Sequence, residues 1–222
     1  MNQELWSAVD RYLVEQLIPA DPVLESARQA NAAAGLPAID VSPVQGKLLH
    51  LLARMQRAER ILEMGTLGGY STIWLARALP PHGRLVTLEF QAKHVEVARQ
   101  NLERAGLTSK VEMRQGPAAT SLEQLHAEGA APFDMIFVDA DKRSNPVYLE
   151  WSLRLSRPGT LIVVDNVVRD GAVVDAQSED ADIQGIRRFF EMLSKEPRLS
   201  ATAIQTVGSK GYDGFVLALV VG

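Results

Sequence analysis

Three carboxylates close apolar runs in this sequence. Glu89 ends Arg84-Leu-Val-Thr-Leu-Glu89, Asp139 ends Phe133-Asp-Met-Ile-Phe-Val-Asp139, and Asp165 ends Gly159-Thr-Leu-Ile-Val-Val-Asp165, with Asn166 next. Such runs read as buried parallel strands, and the C-terminal edge of a parallel sheet is where ligands bind. Asp139, Asp165 and Asn166 offer only oxygen donors, a set suited to a hard cation such as Mg²⁺. The competing reading is that each Asp caps the helix after it. One Asp alone fits that reading better; the whole set at strand ends does not. Lys142 follows Asp139 by three residues. A lysine is most often a solvated surface residue, but one beside a cation has reason to give up its proton and serve as a base.

A second constellation is Ile61-Leu-Glu-Met-Gly-Thr-Leu-Gly-Gly-Tyr-Ser71. An apolar strand turns through glycines into a helical pattern carried by Ile73, Trp74, Ala76 and Leu79. Glycines allow close backbone approach, and a helix N-terminus presents unpaired N–H groups. The dinucleotide fingerprint G-x-G-x-x-G fails here, because Leu67 stands where its second glycine belongs, and no P-loop Lys-Ser/Thr pair follows. Glu89 lies a little over 20 residues beyond these glycines, where an acid can accept ribose hydroxyls. Together these suggest a nucleoside-type cofactor lacking a pyrophosphate.

The elements that must hold these residues alternate. Strand patterns at Ile61–Met64, Leu85–Glu89, Val111–Arg114, Phe133–Asp139 and Gly159–Asp165 are followed by helical patterns at Ser71–Leu79, Ala92–Ala105, Ala118–His126, Asn145–Leu155 and Ile183–Leu193. Ala201–Thr206 and Gly214–Val220 have no helix between them and read as an antiparallel hairpin at one edge. The expectation is an α/β fold: a Rossmann-like, doubly wound, mostly parallel seven-stranded sheet with that C-terminal hairpin. Three helical patterns precede it. Leu5, Val9, Tyr12, Leu13 and Leu17 mark the first; Pro22 to Ala34 is the second, stopped by Gly35; Ser42-Pro43 opens the third, which runs to Met55. The polar, acidic stretch from Arg169 to Asp182 is long enough to be a lid. His50, His82, His94 and His126 lie in helices or turns and read as structural or solvated, and Trp6, Trp74 and Trp151 as packing residues.

Composition narrows the classes. A chain of 222 residues is expected to form a single domain, 1–222, in which 1–57 supply helices that cover the cofactor and substrate site. A net charge of -4 disfavours a nucleic-acid partner, and the absence of cysteine excludes disulfides and thiolate metal sites. No signal-peptide pattern opens the chain and no apolar run reaches transmembrane length, so no membrane partner is expected and the expected location is cytoplasmic.

The Glu-Met-Gly-Thr-Leu-Gly-Gly-Tyr-Ser, Leu-Glu89, Val-Asp139-Ala-Asp-Lys142 and Val-Asp165-Asn166 runs resemble those of the cation-dependent class I O-methyltransferases, a family that includes catechol, caffeoyl-coenzyme A and many bacterial enzymes. The resemblance extends from the first helix to Asp213-Gly214, and it implies transfer of a methyl group from S-adenosylmethionine (SAM) to one hydroxyl of a small vicinal aromatic diol, with Mg²⁺ or another divalent cation holding the oxygens. By the same resemblance Val41, Glu63, Gly65, Thr66 and Ser71 meet the methionine end of SAM. Glu89 holds the ribose, Ala118 and Asp141 lie by the adenine, Asp139, Asp165 and Asn166 bind the cation, and Lys142 is the base. A homodimer is also implied. One departure from the vertebrate catechol enzymes is Val216, which replaces a glutamate that orients the second hydroxyl. The rival readings are an RNA hydroxyl methyltransferase of the same fold, a non-catalytic SAM-binding protein and a nicotinamide dehydrogenase. The acidic balance, the intact Asp139, Lys142, Asp165 and Asn166, and the missing second glycine count against them in turn.

Overall fold

The computed structural model describes residues 2–130 and 132–222. Three helices come first: α1 (Gln3–Leu17), α2 (Pro22–Ala33) and α3 (Pro43–Met55). Their starts are written locally. Asp21 accepts the Val23 and Leu24 N–H groups and Ser42 accepts that of Gln45, each with proline opening the helix behind it.

Strands and helices then alternate as β1 (Arg60–Met64), α4 (Tyr70–Ala78), β2 (Arg84–Glu89), α5 (Ala92–Arg104), β3 (Val111–Gln115), α6 (Ala118–Ala127), β4 (Met135–Val138), α7 (Asn145–Arg154), β5 (Leu161–Asp165), α8 (Ala181–Leu193), β6 (Leu199–Gly208) and β7 (Gly211–Val220). Short 3-10 turns sit at Lys142–Ser144 and Ala172–Val174. The sheet order is β3-β2-β1-β4-β5-β7-β6. β1 through β5 pair in parallel, while β7 runs antiparallel to both β5 and β6. Six strands therefore point one way, and the expected mostly parallel seven-stranded sheet with its antiparallel hairpin is what forms. The hairpin folds inward, so β7 lies inside the sheet and β6 takes the edge.

Alternation along the buried strands sends side chains to two cores. Leu62, Met64, Val86, Leu88, Ile136, Val138, Ile162 and Val164 pack against α6, α7 and α8 through Leu122, Leu149, Ile186 and Phe189. Ile61, Leu85, Met135, Phe137 and Val163 pack against α2 to α5 through Leu24, Leu49, Ile73 and Leu102. Each fully buried aliphatic side chain contributes about 1.5–3 kcal/mol, so the two faces fix the strand register firmly. Strand order turns around between β1 and β4, and the loops leaving those strands diverge to open a crevice.

α1 is the exception to burial. It has no buried residue, and Leu5, Val9, Tyr12 and Leu17 are exposed. Polar contacts attach it to the β6–β7 turn: Gln3 Nε2 donates to the Gly208 carbonyl at 2.9 Å and the Ser209 N–H donates to Asp10 at 2.7 Å. No helix among the described residues is long and apolar enough to cross a membrane.

Candidate active site

The crevice opens into a cavity of about 1200 Å³ along the C-terminal edge of the sheet. Val41, Gly65, Thr66, Ser71, Glu89, Ala118, Asp139, Asp141, Lys142, Asp165 and Asn166 all line it. Ligand cavities typically measure about 300–1,000 Å³, so this one has room for a cofactor and a small second substrate together.

Backbone geometry at the first turn explains why the glycines are needed. Gly65 has φ +97°, and a Cβ there would lie 2.1 Å from the Asp139 carbonyl oxygen, so the ends of β1 and β4 meet through a residue with no side chain. A Cβ on Gly68 would lie 1.8 Å from Asn31 Oδ1. Asn31, buried on α2, donates to Asp40 at 2.8 Å, and Asn101 Nδ2 donates both to Asn31 Oδ1 and to the Gly68 carbonyl. The glycine loop thus rests on two buried amides. Leu67, the residue that breaks the dinucleotide fingerprint, nevertheless adopts φ +49°, a left-handed conformation uncommon for a leucine.

Glu89 faces the cavity from the end of β2. Its Oε2 accepts the Leu67 N–H at 2.9 Å and the Thr66 N–H at 3.2 Å; its Oε1 accepts the Gln91 N–H at 2.9 Å and lies 3.2 Å from His94 Nδ1. His94 also lines the cavity, so the expectation that all four histidines stand apart from the site does not hold. It sits in the first turns of α5, facing back toward the strand that α5 follows.

Glu63 does not line the cavity. It is fully buried behind the wall, on the α4 face of β1, where it accepts hydrogen bonds from Ser71 (2.6 Å), Thr72 (2.5 Å) and Thr87 (2.7 Å). Burial pushes its carboxyl up to about 7, the three hydroxyls pulling back only in part. It therefore stands behind Ser71, which does reach the cavity.

At the far side of the crevice, Lys142 Nζ donates to Asp139 Oδ1 at 2.8 Å, and Lys142 is buried. Asp165 is buried as well; its carboxyl is pushed up to about 7 by burial and then by the nearby Asp139 carboxylate. Asp165 Oδ1 accepts the Asn166 N–H at 2.9 Å, and Oδ2 accepts Gln45 Nε2 at 2.7 Å. Gln45 comes from α3 and has no counterpart among the residues singled out in the sequence. Asn166 has φ +57°, and Arg169 and Asp170 are left-handed too. This loop is held by Asp213, whose Oδ1 accepts the N–H groups of Val168, Arg169 and Gly214 at 2.9–3.0 Å. Asp141 accepts Tyr148 and Ser144 hydroxyls, and Phe90 presents an exposed ring at the cavity beside Glu89.

Among the described residues no three His, Cys, Asp or Glu side chains gather at metal-binding spacing, so a cation would rely on two carboxylates and one amide. That donor set fits Mg²⁺, which is held by one or two carboxylates and keeps several waters. Asp165 is buried and the half-buried Asp139 carboxylate lies close enough to act on it, so two acidic groups face one place and the charge that offsets them is that of Lys142.

Most of the expected lid lies elsewhere. From the Arg169–Asp182 stretch only Arg169 and Asp182 line the cavity. Its middle forms the Ala172–Val174 turn, pinned to α8 by Arg187 at the Val173 carbonyl. The cover comes from Asp10 and Leu13 of α1, Ile39 to Ser42 before α3, and the β6–β7 turn.

Against known proteins, an O-methyltransferase family model matches residues 15–220. The chain is 55% identical to a catechol O-methyltransferase of Niastella koreensis, over 99% of this chain and 100% of that one. It is similar to the crystal structure of an O-methyltransferase from Bacillus cereus in complex with SAH (60% identity, TM-score 0.97, covering 98% and 99% of the two chains). A third match is the O-methyltransferase TomG of Streptomyces achromogenes, involved in tomaymycin synthesis and solved with SAM (55% identity, TM-score 0.97, 100% of both chains). The chain belongs to the O-methyltransferase family.

Proposed function

We propose that this enzyme moves the methyl group of SAM to a hydroxyl of a small catechol-like phenol, with a divalent cation at Asp139, Asp165 and Asn166. The observation that carries the reading is the convergence of those three residues, Lys142 and Glu89 on one cavity large enough for both ligands. SAM bound in the relatives from Streptomyces achromogenes, and SAH in that from Bacillus cereus, support the choice of cofactor. The catechol O-methyltransferase at 55% identity supports the substrate class.

In this reading Ser71, fixed by Glu63, and the Gly65–Thr66 backbone take the methionine end, near Val41. Glu89 takes the ribose, its two contacts at 3.2 Å being the ones a hydroxyl most readily exchanges with. Ala118 and Asp141, the latter fixed by Tyr148, take the adenine. A cation held by Asp139, Asp165 and Asn166 would make a bound phenol hydroxyl more acidic. Lys142 receives that hydroxyl proton as a neutral amine, the form that a nearby cation favours, and Asp139 pairs with the ammonium that results. Gln45 and the Asn166 amide hold the Asp165 carboxylate in one orientation. The walls supply alignment, which alone accounts for effective molarities of up to about 10⁵–10⁸ M.

The test is methyl transfer to catechol from SAM, followed by chromatography. Activity should vanish in excess EDTA and return with Mg²⁺; undiminished turnover in EDTA removes the cation from the scheme. We also infer a cytoplasmic homodimer folded as one domain. A second copy would cover the exposed Leu5, Val9, Tyr12 and Leu17 of α1 with Ile204 and Val207 of edge strand β6. Sedimentation as a monomer at micromolar concentration would reject the dimer.

A further inference from the structure

Four basic side chains line the cavity: His94, Lys142, Arg169 and Lys210. Three are engaged. His94 meets Glu89, Lys142 meets Asp139, and Lys210 Nζ donates to the Ala38 carbonyl at 2.6 Å. Among the described residues the guanidinium of Arg169 has no hydrogen bond or ion pair; the bond that Arg169 donates comes from its backbone.

That backbone is firmly held. The Arg169 N–H donates to Asp213 Oδ1 at 2.9 Å, and its carbonyl accepts the Ala172 N–H at 2.9 Å. The residue sits at φ +55°, a conformation that persists in a non-glycine residue only where its surroundings enforce it. The enforcement here comes from Asp213, on β7. A free, branched cation has thus been placed on a fixed loop three residues beyond Asn166, no more than about 11 Å from it along the chain.

Neighbouring charges leave Arg169 available. Of the acids that line this part of the cavity, Asp213 accepts three backbone amides, Asp182 pairs with Arg143, Asp10 accepts the Ser209 N–H, and Asp40 accepts the Asn31 amide. Asp170 is not part of the lining. The β6–β7 turn adds a second positive charge on the same side: Tyr212 accepts the Asp170 N–H, and Lys210 lies two residues before it. Lys210 is held by the Ala38 carbonyl and lies near enough to the Asp40 carboxylate to act on it, so part of its charge is compensated and Arg169 is the cation left without a partner among the described residues. The wall also carries apolar Val44, Leu48 and Phe215, the last paired with Asp165 across β5 and β7, and these suit an aromatic ring.

We propose that Arg169 is an anion subsite that selects aromatic diols bearing a carboxylate at the end remote from the hydroxyls. The proposal rests on the reading of the site as one that methylates a diol. A guanidinium reads a carboxylate with two parallel N–H bonds, which gives geometry as well as attraction. Arg169 acts on substrate choice, and the atoms that exchange the methyl group lie elsewhere.

The experiment compares 3,4-dihydroxycinnamate with its methyl ester, two diols of the same ring and reach that differ in charge. The wild-type enzyme should favour the acid at least tenfold in kcat/KM, chiefly through KM. Arg169→Gln should lose roughly 10–100-fold on the acid, the worth of a charge-assisted pair, and less than about threefold on the ester. Arg169→Lys should recover part of the loss. Equal losses on both substrates, no loss on either, or a wild-type preference for the ester would overturn the subsite. Calorimetric titration of the SAH-saturated protein with each diol separates this from the broader reading. If neither diol is methylated, the proposed reaction fails, and the subsite still stands or falls by whether Arg169→Gln weakens binding of the acid selectively.

Discussion

Acids at the two ends of this sheet meet opposite fates. At the N-terminal end, Asp134 just before β4 accepts the Glu59 and Arg60 N–H groups at 2.8 and 2.9 Å and the Arg157 guanidinium at 2.6 Å. Burial alone would raise its carboxyl, but those donors outweigh it and hold the group below the usual carboxylate range. At the C-terminal end, Glu63 and Asp165 are pushed up to about 7 by burial. Asp134 is thus well compensated where it ties elements together, while Glu63 and Asp165 are under-compensated at the end where the crevice opens. Left-handed Leu67, Asn166, Arg169 and Asp170 cluster at that second end as well. Left-handed backbone and raised carboxyls thus gather at the end of the sheet where the crevice opens.

The comparison is broken most severely by removing an acid from the crevice. Asp139→Ala should abolish methyl transfer while leaving SAM affinity within a few fold by calorimetry; retained turnover would make Asp139 a structural acid like Asp134. Next in size is Lys142→Met, with kcat expected to fall about 10²–10⁴-fold, the range of positioned acid–base catalysis. A nitrocatechol, already ionised near neutral pH, should lose far less than catechol itself. Equal losses on the two substrates would leave Lys142 as a positioning or electrostatic group.

Glu89→Ala should weaken SAM binding at least tenfold, since two charge-assisted bonds of roughly 1.5–3 kcal/mol each are at stake. Unchanged affinity would place the cofactor elsewhere. The smallest effects concern stability, and here the two ends should respond to pH in opposite directions. Glu63 has a folded pKa of about 7 against an ordinary 4.5, so its contribution is full below 4.5 and is lost as pH rises through 7. Asp134 has a lowered folded pKa, so its contribution is full above 3.8 and is lost as pH falls through the folded value. Glu63→Gln should therefore flatten the decline in Tm between pH 5 and 8. Asp134→Asn should lower Tm by several degrees at neutral pH, with the gap closing in acid. Parallel pH profiles for the two variants would dissolve the contrast.

Legibility in the sequence divides along the same line. Apolar runs ending in Glu89, Asp139 and Asp165 revealed both the strands and the acids, because a parallel strand buried on both faces has to be apolar and its end alone can carry charge. Glu63 was harder to place. It lies inside a strand, and alternation from its buried neighbours sends it to the α4 face, away from the crevice. Gln45 meets Asp165 across 120 residues of chain from a helix whose pattern shows only packing. His94 could have been found from its place one turn into the helix that follows Glu89. The lid was assigned to the longest polar stretch, yet cover depends on which segments meet over the sheet, and Lys210 reaching Ala38 is a contact that no local pattern encodes.

The inward fold of the last hairpin also dictates an order of assembly. β6 pairs with β7 alone, so Leu199–Gly208 cannot join the sheet until Gly211–Val220 has been synthesised and has seated against β5. Until then the β5 edge stands open, a template for wrong partners. Asp213 arrives on that same final strand, so the loop bearing Asn166 and Arg169 is locked only when the sheet closes. A nascent chain that has folded its first five strands is well along in burying its core and still has not locked the loop that carries Asn166 and Arg169. Catalytic competence is therefore the last property this chain acquires, and its appearance reports that the sheet is complete.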